Sequence, residues 1–159
     1  MKHAKGVTNM KYGWLYKSLA VLGACPVCAA NLYEIFSREK LPAWLDITSL
    51  VGWAIAMVAG IVVVAKANRV LTWWNEQDSH NPFGNYRWII LIICMVGVLS
   101  HILCRLADAG YLSIQPTLYI WMLSLSSLIV ALVCPMIVFV TISTYNEAIG
   151  PYQEQHKSE

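Results

Sequence analysis

Residues Trp88 to Leu106 read WIILIICMVGVLSHILCRL. Wound as a helix at 1.5 Å per residue, these nineteen residues reach about 28 Å, close to the ~30 Å hydrocarbon layer of a bilayer. Arg105 is the one permanent charge in the run, and it stands next to the end. Backbone groups in lipid have no water to bond, so a segment of this kind must satisfy its own N–H and C=O groups by forming a helix.

Three further stretches have the same character: Tyr12 to Phe36, Ile47 to Ala65 and Leu118 to Ile142. No Asp, Glu, Lys or Arg lies near the middle of any of the four, and Lys17 and Glu34 stand near the ends of the first, where long side chains can snorkel. The chain of 159 residues is 58% hydrophobic and 13% charged. A soluble domain carries about 25% charged residues, so most of this chain faces lipid or packed protein. The sequence therefore predicts an all-α, four-transmembrane-helix bundle, a single integral membrane domain over residues 1–159 with helices at about 12–36, 47–65, 88–106 and 118–142. A net charge of +2 with no basic cluster excludes a nucleic-acid partner from the expectations.

Lys and Arg distribute unevenly. Lys2, Lys5, Lys11, Lys17, Lys66, Arg69, Arg87 and Lys157 fall on one side of this topology, and Arg38, Lys40 and Arg105 on the other. Positive charge favours the cytoplasmic side of short loops, so both termini and the second loop are expected in the cytoplasm of a bacterial-type cell, in the inner membrane. The Asn75–Asn85 loop is polar and turn-rich. Within it Asn81, Pro82, Phe83 and Gly84 are candidate partner-binding residues, since loops are where polar recognition can occur outside lipid. Leu22-Gly23-Ala24-Cys25 resembles the site where bacterial lipoproteins are cut and acylated. With Gly23 in that motif, the segment is kept as a helix.

Candidate chemistry lies inside the helices. Cys25-Pro26-Val27-Cys28 places two thiols one turn apart in the first, a spacing that can close a disulfide or share a soft metal. Small bacterial mercury-transport proteins resemble this arrangement, with four helices and such a motif in the first, and carry additional cytoplasmic cysteines that this chain lacks. Membrane enzymes that oxidise thiols with quinone are similar in topology, with their pair at the outer edge of the membrane. In the third helix, Cys94, Gly97, His101, Cys104 and Asp108 follow steps of three and four and share one face. In the fourth, Ser124, Ser127, Ala131, Cys134, Val138 and Thr141 do the same, and Gly52, Ala56 and Gly60 give the second a small-residue seam. Gly97, His101 and Cys134 are expected to face the bundle interior, with Ile92 and Ile102 toward lipid. Pro26 and Pro135 each remove one backbone hydrogen bond, and the first and fourth helices are expected to kink there.

Counted from Trp14, Trp88 and Thr144 near the inner surface, Cys25, His101 and Cys134 lie roughly 15–20 Å deep. Cys25, Cys28, His101, Cys104 and Cys134 are thus the candidate ligands for a soft metal ion of the Hg, Cu or Zn kind. Their alternative role is packing, which is the commoner fate of buried Cys and of a lone intramembrane His. No nucleophile–base pair, acid–base pair or cofactor motif is present, so a non-enzymatic protein is favoured over an enzyme. The expectation is a small polytopic protein that binds other membrane proteins, of the immunity or exclusion type or as an accessory subunit of a membrane complex, with no cofactor. The alternatives are a soft-metal carrier or sensor, and a thiol–disulfide oxidoreductase using Cys25 and Cys28.

Overall fold

The computed structural model describes residues 10–37, 41–77 and 82–156, side chains of 82–86 excepted. Among the described residues every regular element is helical. Helix α1 spans Gly13–Ser37, α2 Ala43–Gln77, α3 Pro82–Asp108, α4 Pro116–Leu128 and α5 Cys134–Gln155, with a π-helical segment at Ile129–Val133 joining the last two. Four spans, counting Pro116–Gln155 as one, are long and apolar enough to cross a membrane.

Local chemistry sets the helix ends. The carbonyl of Pro42 accepts the N–H groups of Leu45 and Asp46 and so starts α2, with the Asp46 carboxylate beside the positive end of the helix dipole. Proline opens α3 and α4, where its missing N–H costs nothing. Helix α3 stops at Gly110, which adopts φ +82°, a left-handed conformation that glycine takes without strain. The Gly110 N–H then donates to the Ala107 carbonyl and the Tyr111 N–H to the Leu106 carbonyl, which closes the paired bonds of a Schellman ending.

Helix α2 is the hub, packing on α1, α3 and α5. It crosses α1 at two glycines. A methyl group on Gly23 would lie 2.6 Å from the Gly52 carbonyl oxygen, and one on Gly52 would lie 2.5 Å from that of Gly23. Two backbones approach this closely only where neither carries a side chain. The expected seam of Gly52, Ala56 and Gly60 is buried, as are Gly97, His101 and Cys134, while Ile92 and Ile102 are exposed. Leu22, Val58, Ile92 and Leu132 are also exposed and belong to an apolar outer surface that suits lipid.

Two differences from the sequence reading have clear causes. Helix α2 does not stop near Ala65 but runs to Gln77, because Val70 and Leu71 pack in the same buried cluster as Ala148 and Ile149 of α5. The hydropathy falls there while the helical periodicity continues. The second difference concerns the fourth span. Cys134, Val138 and Thr141 are buried as their spacing predicts, but Ser124 and Ala131 are exposed. Leu123, Ser126 and Val130, each one position earlier, are buried instead, with Ile129 beside Val130. A π turn takes up one more residue than an α turn, so the Ile129–Val133 segment shifts the buried face by one residue.

Candidate functional site

Beyond the mid-span apolar cluster, α1 to α4 bring their polar residues together at one end of the bundle. Arg105, on α3, is the centre. Its side chain is 9% exposed and pairs with Glu34 of α1, itself 7% exposed. The pairing is two-pronged: Nη1 donates to Glu34 Oε1 at 2.7 Å and Nη2 to Oε2 at 2.8 Å. Such a fork uses the flat guanidinium at its strongest and fixes both side chains. Nη1 also donates to Asp108 Oδ2 at 3.1 Å, and Asp46 Oδ1 of α2 lies 3.2 Å from Nε. One cation thus faces three carboxylates, two of them on the partly exposed rim.

Tyr119 of α4 completes the ring. Its hydroxyl lies 2.8 Å from both oxygens of Asp108 and 2.9 Å from Glu34 Oε1. A phenol has a single proton, so it donates to one carboxylate at a time. Charge and proton at this end are therefore shared among Glu34, Asp108 and Tyr119 rather than held by separate pairs.

A second layer lies deeper. Asn31 of α1 is fully buried; its Nδ2 donates to Ser127 Oγ at 2.9 Å and reaches the Leu123 carbonyl at 3.4 Å. Ser127 in turn donates to that same carbonyl. On the other side, Ser49 donates its proton to the Asp46 carbonyl at 2.7 Å. In the contact of 3.1 Å between Ser49 Oγ and His101 Nε2 the ring nitrogen is then the donor. His101 Nδ1 is buried without a hydrogen-bond partner, and so is Trp53 Nε1 beside it. An apolar cleft of about 230 Å³ adjoins these rings between α2 and α3.

Below that layer the interior is apolar, with Ala24, Val27, Ala56, Ile129 and Val130 around Cys94 and Cys134. Polar groups return at the opposite end. There Arg87 Nη2 donates to Asn68 Oδ1 at 2.7 Å and Thr72 Oγ1 at 2.8 Å, and Lys66 donates to the Tyr16 hydroxyl.

The residues singled out from sequence divide sharply. Cys25 is exposed and Cys28 half-buried against the mid-span cluster. His101 bonds Ser49, the Cys104 Sγ reaches the Tyr119 carbonyl at 3.9 Å, and Cys134 lies against Cys94. These five do not converge on one point, and among the described residues no group of three or more His, Cys, Asp or Glu side chains has the geometry of a metal site. Asn81 lies outside the described residues, while Pro82, Phe83 and Gly84 form the first turn of α3 rather than a loop. The sequence reading missed Asn31, Glu34, Asp46, Ser49 and Tyr119. Sequence alone puts Glu34 among snorkelling ends and counts Arg105 only toward charge bias, whereas the two are half-buried and paired with each other. The signal was there: Asn31 and Glu34, Asp46 and Ser49, and His101, Arg105 and Asp108 are each three or four apart, near the same end of three helices. Comparison of the chain with known protein families, with functionally described proteins and with solved structures finds no match.

Proposed function

We propose that this chain is a multi-pass protein of a bacterial inner membrane, with both termini cytoplasmic, that works by binding another membrane protein rather than by catalysis. The observation that carries this reading is the Arg105 network. Its ion pairs and hydrogen bonds tie α1, α2, α3 and α4 together at one end and so hold a preformed surface there. On that end the 109–115 turn carries Tyr111, 80% exposed, and Leu112, also exposed. An exposed aromatic on a rigid support is the kind of anchor that dominates binding energy at protein interfaces. The Lys and Arg bias puts this end outside the cell, which makes it suited to immunity or exclusion partners or to the neighbours of an accessory subunit. At the corresponding cytoplasmic end, the first turn of α3 at Pro82, Phe83 and Gly84, with Asn81 before it in sequence, is the second candidate surface. Bends at Pro26 and Pro135 are part of the same reading, since a kinked span matches a partner's contour better than a straight one.

A photo-reactive residue at Tyr111 tests the reading. It is expected to cross-link one membrane protein reproducibly, and Arg105→Met is expected to reduce that yield several-fold by loosening the surface. A capture pattern identical to that from a reactive group at lipid-facing Ile92 would overturn it.

A further inference from the structure

In the sequence Cys94 and Cys134 belong to two separate stripes. The structure brings their sulfurs to 3.4 Å, both fully within the bundle, with the Cys134 thiol donating toward Cys94. Cys94 lies on α3, and Cys134 opens α5 directly after the π segment. A disulfide needs about 2.05 Å between sulfurs, so closing the bond asks the two atoms to approach by about 1.4 Å. Cys25 and Cys28 differ, since they sit one turn apart on the same helix and Cys25 faces out of the bundle.

We propose that Cys94 and Cys134 are a disulfide-forming pair that staples the third span to the fourth at mid-membrane. The surroundings select the product. Ala24, Ala56, Ile129 and Val130 offer no partner for a charged sulfinate or a bulky adduct, whereas a disulfide is neutral and compact. They also select the oxidant, which must be small, uncharged and able to enter lipid, as hydrogen peroxide is. One thiol sulfur attacks a peroxide oxygen and becomes a sulfenic acid, releasing water. The second thiol displaces the sulfenic hydroxyl, forming the sulfur–sulfur bond and a second water. Two thiols and one peroxide thus give one disulfide and two waters, with both electrons passing from sulfur to oxygen. This goes beyond the partner-binding reading and does not depend on it.

The test uses the full chain in lipid bilayers. After hydrogen peroxide treatment, denaturation and maleimide labelling, the intact mass is expected to show three labelled cysteines where the untreated chain shows five. Peptide mapping should assign the missing two to a Cys94–Cys134 bond, and dithiothreitol should restore them. In Cys134→Ala, Cys94 should stay labelled after the same treatment. The proposal fails if all five remain labelled, if the lost pair maps to Cys25 and Cys28, or if the loss resists reductant. Should Cys134→Ala not accumulate, the map of the unaltered chain decides alone.

Discussion

Arg105 is the residue whose loss would be felt most widely. Replacing it with Met leaves the half-buried Glu34 carboxylate without its cation, and stranding one charge of such a pair costs up to about 3–5 kcal/mol. Tyr119→Phe removes only a shared hydrogen bond. Such bonds within membrane proteins average about 0.6 kcal/mol, so its cost should stay below about 2 kcal/mol. Denaturant unfolding in detergent checks the ranking, and equal losses for the two would contradict the assignment of Arg105 as the centre. The glycines form a second graded series. A methyl at Gly23 meets backbone at 2.6 Å, one at Gly97 meets side-chain atoms, Ile129 Cγ2 and the Trp53 ring, at 2.9 Å, and one at Gly60 meets only Leu91 at 3.6 Å and Ile137 at 4.0 Å. Gly23→Ala should therefore cost most, roughly 2–3 kcal/mol as overpacking does, and Gly97→Ala less. Gly60→Ala should be neutral or stabilising by up to about 1 kcal/mol through helix propensity. Thermal melting of the three variants in one detergent orders them. At this scale the interior face of α3 was legible, because Gly97, His101 and Cys104 interrupt an otherwise unbroken apolar run. The ring around Arg105 was not, because its members come from four helices and only packing shows which helix ends meet.

At the scale of elements, four apolar stretches announced four spans, and the helix ends were hidden for a physical reason. Hydropathy measures what lipid tolerates, whereas a helix continues for as long as its neighbours cover one face. Beyond Ala65, that cover comes from α5, where Trp73 donates to Gln155 Oε1 at 3.0 Å and stacks edge-on against Tyr152. The π segment was illegible because the fourth span's small-residue stripe reads equally well in an unbroken α-helix. Its presence makes a sharp prediction. Deleting the exposed Leu132 removes the extra residue and turns the π turn into an α turn, keeping Leu123, Ser126 and Val130 in phase with Cys134 and Val138. That variant should accumulate and elute as a single species. Deleting Leu125 from α4 instead rotates one side of the helix by about 100° and should abolish accumulation, since the buried and lipid-facing residues would exchange. Equal behaviour of the two deletions in size-exclusion chromatography would argue against the π assignment.

The molecule as a whole is a bundle with two unlike ends and an apolar middle: a carboxylate-rich lock around Arg105 on one side, and a basic, helix-extended end on the other. The hydrophobic surface and the buried network both follow from placing this chain in a membrane. Which end faces outward rests on the distribution of Lys and Arg, and it decides where a partner would be met. Site-directed thiol labelling of intact cells with a membrane-impermeant maleimide addresses this most directly, using cysteines introduced at the exposed Ser113 and Glu154. The native cysteines lie within the spans. The account predicts labelling of Ser113→Cys from outside and of Glu154→Cys only after the membrane is opened. Labelling of Glu154→Cys in intact cells, or protection of Ser113→Cys, would contradict it.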